Sequence, residues 1–110
     1  MAKDSIVHSV IFNLKHPQGS EEENRFIEDG RAILTSIPVV QNFKVYRQVS
    51  PKNEYAFGFS MEFANAEDYE TYNLHPLHVS FVSERWETEV LNFLEIDYKE
   101  KDKDEDTSET

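Results

Sequence analysis

The chain has 110 residues, a hydrophobic content of 38%, no cysteine and a formal net charge of −11. This length fits one domain, and the lack of cysteine excludes a disulfide framework and thiol chemistry. The scattered lysines and arginines exclude the basic footprint of a nucleic-acid binder and disfavour anionic membranes, and no apolar run approaches the roughly 20 residues of a membrane span. With no apolar signal core at the N-terminus, we expect a cytoplasmic protein without nucleic-acid or membrane partners.

The first half of the chain predicts a strand, a helix and a second strand. Apolar residues alternate with a period of two over residues 6–14, which is typical of a strand. Ser20 and Glu23 form the capping-box pattern of a helix start. The helix is predicted to end at Ile37, because a residue before proline avoids helical conformation. Alternation returns over residues 43–49.

The second half predicts the strongest strand, two helices and a closing strand. Large apolar side chains occupy every second position of residues 55–63. Asn65 is a suitable cap for a short helix over residues 66–74. A further helical stretch covers residues 76–90, and residues 93–98 form the last strand.

This order of elements, β-α-β-β-α-α-β, predicts an α+β fold with a ferredoxin-like protomer. Such a protomer has a four-stranded antiparallel sheet with helices on one face. Because the uncovered face is partly apolar, we predict a homodimer joined through this open sheet face. Residues 1–98 make up this domain, and residues 99–110, which are acidic and lack apolar side chains, predict a disordered tail.

Four segments stand out along the chain: IVHSVIF, YAFGFSMEF, EDYETYNLHPLHVSF and FLEIDY. Together, over about residues 5–98, they resemble the stress-responsive A/B barrel domain family, often called Dabb. The most specific of these matches is HPLHVSF. The resemblance implies a ferredoxin-like protomer that dimerises into an α+β barrel. One plant member cyclises a polyketide between sheet and helices without metal or cofactor, so we expect no cofactor here.

The resemblance also implies a set of site residues. His78 falls on the catalytic base of the plant cyclase, and Tyr72 falls on the tyrosine that assists it. His8 falls on a further pocket histidine. The position of another pocket histidine is Phe57 here, which argues against the same reaction and predicts a smaller, more apolar cavity.

The residues themselves leave the roles of the histidines open. Pro76 fits the first turn of a helix, so His78 lies at a positive helix end, where the neutral imidazole that a general base needs is favoured. The alternative is that His78 only binds a nearby carbonyl. His75, held extended before the proline, is either a pocket contact or a structural hydrogen-bond partner. No metal site is expected, because zinc needs three or four ligands and cysteine is absent.

Two functions remain open, and the sequence does not decide whether the protein is an enzyme. In the first, the protein binds a small, partly apolar carbonyl compound, with cyclase- or lyase-like chemistry, His78 as the base and Tyr72 as a hydrogen-bond donor. In the second, it is a non-catalytic stress-response or interaction dimer with structural histidines. The residues predicted to contact the ligand in the first case are His8, Phe57, Phe59 and His75.

Overall fold

The computed structural model describes residues 4–101, and a four-stranded antiparallel sheet forms the centre of the fold. The strands are β1 (Ile6–Leu14), β2 (Gln41–Arg47), β3 (Phe57–Phe63) and β4 (Val90–Lys99). In space they lie in the order β2-β3-β1-β4, so β2 and β4 are the edges. The predicted disordered tail begins at the last residue of β4, and its residues 102–110 lie outside the described part of the chain.

Helices cover one face of this sheet. They are α1 (Glu21–Thr35), α2 (Ala66–Leu74), α3 (Pro76–Phe81), a π-helical segment (Val82–Trp86) and α4 (Glu87–Glu89). The order of elements and the antiparallel sheet confirm the predicted ferredoxin-like α+β class. Within the described residues, no helix is both long and apolar enough to span a bilayer.

The start of α1 follows from its capping residues. The Ser20 hydroxyl accepts a hydrogen bond from the N–H of Glu23 at 3.2 Å. The Glu23 carboxylate accepts one from the N–H of Gly19 at 3.0 Å, one residue earlier than in a standard capping box. The first bond satisfies an N–H group that a helix start would otherwise leave unpaired, and the second connects Gly19 before the cap to the first turn.

The end of α1 comes two residues before the predicted position. The N–H and the hydroxyl of Ser36 both donate to the carbonyl of Ile33, which closes the last turn. Ile37 therefore lies outside the helix, and its side chain is completely buried in the core.

The segment predicted as one helix over residues 76–90 is divided into three parts. The N–H of Glu87 donates to the carbonyl of Val82, five residues back, which is π-helical spacing. Strand β4 then begins at Val90 rather than at Phe93, because β1 pairs with it along its whole length.

The turn between β2 and β3 is longer than the alternation predicts. β2 ends two residues earlier, and β3 begins two residues later. The side-chain amide of Gln48 donates to the Asn53 side chain and to the Tyr55 carbonyl, which holds this stretch in a turn.

The core lies between the inner sheet face and the helices. Gly30 allows α1 to approach the sheet closely, because a Cβ at this position would lie 3.1 Å from the Phe59 ring and 3.3 Å from the Phe81 ring. Burying one such ring contributes roughly 1.5–3 kcal/mol. The side chains that are fully buried in this core are Phe12, Phe26, Ile37, Phe59, Met61 and Phe63.

The opposite sheet face, here called the open face, carries apolar side chains that no helix covers. Its central pairs join β1 to β4, with Ile11 opposite Leu94 and Val7 opposite Tyr98. Leu94 is 48% exposed and Tyr98 is 55% exposed. We define the open face by its apolar members Val7, Ile11, Tyr46, Leu94, Ile96 and Tyr98.

Candidate functional site

A cavity of about 210 Å³ lies between the inner sheet face and the helices α2 and α3. A cavity of about 150 Å³ accepts a benzene-sized molecule, so this one has room for a single ring with a few further atoms. Most of its wall is apolar and aromatic. The lining residues are His8, Val10, Leu34, Phe59, Met61, Tyr69, Tyr72, Asn73, His78, Phe81, Val82, Trp86, Phe93 and Glu95.

Helix α2 presents two tyrosines to this cavity. Asn65 caps the helix, since its side-chain oxygen accepts a hydrogen bond from the Asp68 N–H at 2.8 Å. Tyr69 and Tyr72 then follow one turn apart and point to the same side of the helix. The ring of Tyr69 stacks on Phe63 of β3 with centroids 4.9 Å apart, which fixes the helix against the sheet.

His78 has one ring nitrogen bound and the other open. Its Nδ1 lies 3.1 Å from the backbone carbonyl of Asn73. A carbonyl can only accept, so Nδ1 carries the proton and Nε2 keeps its lone pair. Burial lowers the pKa of His78 below the ordinary value of 6.5, and the nearby His8 lowers it further. The geometry therefore gives a neutral imidazole, the form that can accept a proton.

Tyr72 is a buried residue whose hydroxyl has no partner within the described part of the chain. The residue is only 3% exposed, and its ring centroid lies 4.3 Å from that of His78. Within residues 4–101 its hydroxyl makes no hydrogen bond, yet no fully buried side-chain oxygen of these residues lacks a partner. The hydroxyl must therefore reach open space in the cavity. Burial raises the pKa of Tyr72, with Tyr69 and Glu95 adding to the effect, so the group stays a hydrogen-bond donor.

His8, Asp97 and Tyr69 form a hydrogen-bonded group at the sheet side of the cavity. The Nδ1 of His8 lies 2.6 Å from an Asp97 carboxylate oxygen, and the Tyr69 hydroxyl donates to the other carboxylate oxygen at 2.9 Å. The Tyr69 oxygen is also 3.0 Å from His8 Nδ1. Since a carboxylate accepts, His8 carries a proton on Nδ1, and Nε2 is the nitrogen left for a ligand. Burial, followed by the Asp97 hydrogen bond, raises the pKa of Tyr69.

The structure brings four of the six predicted site residues to one cavity: His8, Phe59, Tyr72 and His78. Phe57 and His75 are not among the residues that line it, so this cavity gives no support to their predicted ligand contacts.

Antiparallel pairing places Phe57 opposite Phe12, at the other end of β3 from the partner of His8. The Arg47 guanidinium covers the Phe57 ring at 5.0 Å. His75 is the N-cap of α3, where its Nδ1 accepts the Leu77 N–H at 3.1 Å. This is the structural alternative that the sequence left open for His75.

Sequence reasoning missed two acids of the site, Glu95 and Asp97. Both face inward from β4, where they pair with Val10 and His8 of β1. The alternation of FLEIDY contains the signal, because it puts these acids on the same strand face as the aromatic Phe93. As for metal binding, the described residues contain no group of three or more histidine and acidic side chains arranged to hold an ion.

Comparison with known proteins identifies relatives that share this fold. The stress-responsive A/B barrel domain family model matches residues 6–100, and no curated protein sequence matches the chain. A Dabb family protein of Mesorhizobium loti is 52% identical, with a TM-score of 0.88 over 89% of this chain and 98% of its own. A dimeric protein of unknown function from Bacteroides fragilis is 24% identical, with a TM-score of 0.66 over 88% and 97%. A hydroxynitrile lyase from Passiflora edulis is 13% identical, with a TM-score of 0.79 over 92% and 97%.

The family match and the closely similar Mesorhizobium loti structure both extend over nearly the whole described chain. The segments that predicted this relationship, from IVHSVIF to FLEIDY, all lie inside the matched range. The protein therefore belongs to the stress-responsive A/B barrel domain (Dabb) family.

Proposed function

We propose that the protein binds a small, partly apolar carbonyl compound in this cavity and that His78 acts on it as a general base. The observation that carries the proposal is the unpartnered hydroxyl of Tyr72 beside the open Nε2 of His78. A hydroxyl that opens into a mostly apolar cavity leaves its hydrogen bonding to be completed by a ligand or by water. A donor and a proton acceptor side by side suit a carbonyl group and the acidic C–H next to it.

The chemistry that fits this pair is proton abstraction beside a carbonyl. His78 Nε2 takes the proton, and the C–H electron pair forms the carbon–carbon double bond of an enolate. The negative charge gathers on the former carbonyl oxygen, where the Tyr72 hydroxyl donates a hydrogen bond. Return of a proton from His78 to the same carbon restores the ketone, while the enolate is the species that cyclase- or lyase-like chemistry would use. The apolar wall, including Phe59, limits the contact of this charge with water.

Proton exchange into a methyl ketone tests this assignment. In D₂O, wild-type protein should exchange the methyl protons of 4-hydroxyacetophenone for deuterium. The exchange is measured as the loss of the methyl NMR signal. His78→Gln should slow this exchange by about 10²-fold or more, in the range typical of a lost general base. Tyr72→Phe should slow it by a smaller factor. His16→Gln is the matched control, because His16 lies outside the cavity and binds Glu89. Exchange by wild type that is no faster than by His78→Gln would refute the base assignment.

We also propose that two copies of the chain assemble through the open face. Apolar side chains such as Ile96, which is 37% exposed, would otherwise face water. The similar Bacteroides fragilis protein is described as dimeric, which supports the same arrangement here. Two sheets would then pack at roughly 10 Å, the usual spacing of facing sheets.

Light scattering distinguishes the dimer from a monomer. Wild type should have twice the 12.9 kDa mass of one chain. Ile96→Lys should shift it toward the monomer, whereas Leu74→Lys should not, because Leu74 is exposed on the helix side of the molecule. The second candidate function is a non-catalytic interaction protein. The apolar open face favours it, and it also requires the dimer. Binding without any ketone exchange, or no binding at all, would support that second function.

A further inference from the structure

We infer that the cavity accepts uncharged carbonyl compounds and rejects carboxylates, and that Glu95 sets this preference. The inference rests on the proposed function, because it names the class of ligand for the same site. Glu95 lies on the sheet, whereas the base His78 and the donor Tyr72 lie on the helices.

Glu95 is placed at the exposed side of the cavity by the strand register. It pairs with Val10 of β1 and points to the inner face, between Phe93 and Asp97 on the same strand. The residue is exposed and lines the cavity. Its carboxylate makes no hydrogen bond and no ion pair to any residue of the range 4–101. Its negative charge is therefore directed at whatever enters from this side.

No cation in the cavity wall offsets this charge. The lining residues include neither lysine nor arginine. The histidine at the sheet side, His8, is bound to Asp97, so any positive charge on its ring is already matched by that carboxylate. His78 is held neutral by burial. The cavity wall consequently has the carboxylate of Glu95 and no lysine or arginine, so its field is negative.

Glu95 acts electrostatically on both groups that would bind the carbonyl. Its charge contributes to the raised pKa of Tyr72. It also raises the pKa of His78, although burial has the larger, opposite effect. These effects place it within electrostatic range of the reacting position. A carboxylate at that position would need a second donor and would be repelled by Glu95. A ketone or aldehyde needs only the one donor that Tyr72 supplies.

Two probes of the same shape test the preference. 4-Hydroxyacetophenone is neutral, and 4-hydroxybenzoate is an anion at neutral pH. In calorimetric titrations at low ionic strength, wild type should bind the acid at least about tenfold more weakly than the ketone. A difference of this size is expected for two like charges close together near a protein surface. In Glu95→Gln the ratio of the two affinities should fall several-fold. Glu87→Gln is the control, since Glu87 is exposed on α4 and does not line the cavity.

A second measurement needs no variant. Raising the ionic strength to about 1 M shortens the Debye length to roughly 3 Å, so the acid should gain affinity relative to the ketone in wild type. Tyr72-dependent ketone binding together with equal or tighter acid binding would overturn the charge preference and leave the proposed function standing. An affinity ratio that is unchanged in Glu95→Gln would also overturn it. If neither probe binds wild type, the carbonyl-binding function falls together with this inference.

Discussion

The carboxylate of Asp97 lies 2.6 Å from Nδ1 of His8, although the two residues are 89 positions apart in the chain. The contact exists because β1 and β4 pair antiparallel with these residues directly opposite each other. Tyr69 of α2 binds the same carboxylate. One hydrogen-bonded group thus connects the edge strand, a central strand and the helix layer.

We expect this contact to fix the tautomer of His8. In wild type, long-range ¹⁵N NMR should show the proton of a neutral His8 ring on Nδ1, and His78 should show the same tautomer because of the Asn73 carbonyl. Asp97→Ala should remove the preference at His8 and leave that at His78 intact. An Nε2–H tautomer of His8 in wild type would contradict the arrangement.

The lowered pKa of His78 predicts a pH-dependent loss of stability. Its pKa in the folded protein lies below the value of 6.5 in the unfolded chain, so between these values the unfolded state binds more protons. Stability from this group is complete above pH 6.5 and falls as the pH drops through the folded pKa. Urea unfolding should show that wild type loses stability below pH 6.5 faster than His78→Gln. Parallel curves for the two proteins would contradict the burial of this ring.

The close approach at Gly30 predicts that Gly30→Ala destabilises the fold. The added methyl group would meet the Phe59 and Phe81 rings at 3.1 and 3.3 Å, and Phe59 is fully buried among other rings and cannot move aside. Overpacking costs roughly 1–3 kcal/mol, while the gain in helix propensity is about 1 kcal/mol. Denaturant unfolding should give a net loss of about 1 kcal/mol. Glu28→Ala, at an exposed site of the same helix, is the control, and a stabilised Gly30→Ala would contradict the packing.

The N-cap of α1 predicts a measurable cost for Ser20→Ala. The variant loses the acceptor for the Glu23 N–H, and such caps are worth about 1 kcal/mol. Ser83→Ala is the control. This exposed residue lies in the π-helical segment, and among residues 4–101 its hydroxyl binds only the carbonyl three residues before it. Its replacement should change stability by less than about 0.5 kcal/mol. Equal effects in the two variants, measured by urea unfolding, would mean that the cap does not hold the helix.

Truncation after Lys101 tests the prediction from sequence that the acidic tail is disordered. Because the removed residues include no apolar side chain, the melting temperature should stay within about 2 °C of wild type. A scanning calorimetry experiment in which it drops by about 10 °C would show that the tail contributes to the fold.

Local patterns in the sequence predicted most of the fold. The alternation over residues 6–14 gives the bounds of β1 as observed, and Asn65 and Pro76 correctly mark the starts of two helices. These signals depend on neighbours within one or two turns of chain. The ends of α1 and β2 differ from the predictions because side-chain hydrogen bonds of Ser36 and Gln48 end these elements, and such bonds have weak patterns in sequence.

The site was only partly predictable for a different reason. Tyr72 and His78 are close in sequence, so helical spacing and the family resemblance place both. The contact of His8 with Asp97 depends on the pairing register of β1 and β4, which no local period determines. The same register separates Phe57 from His8, although both lie on inner strand faces. Long-range pairing therefore decides which inward side chains share a cavity.

The π-helical segment accommodates one extra residue between two rings of the cavity wall, Phe81 and Trp86. In a regular α-helix, Phe81 and Trp86 would point about 140° apart, since five residues exceed one turn of 3.6. The wider turn lets both rings approach Phe26, at 5.5 and 6.1 Å between centroids, and lets both line the cavity. Deleting one residue between them would leave the two rings four positions apart, which is about 40° in a regular α-helix, so both would still face the cavity. Family members with one residue fewer here would thus keep both rings in the cavity wall with an ordinary α-helical turn.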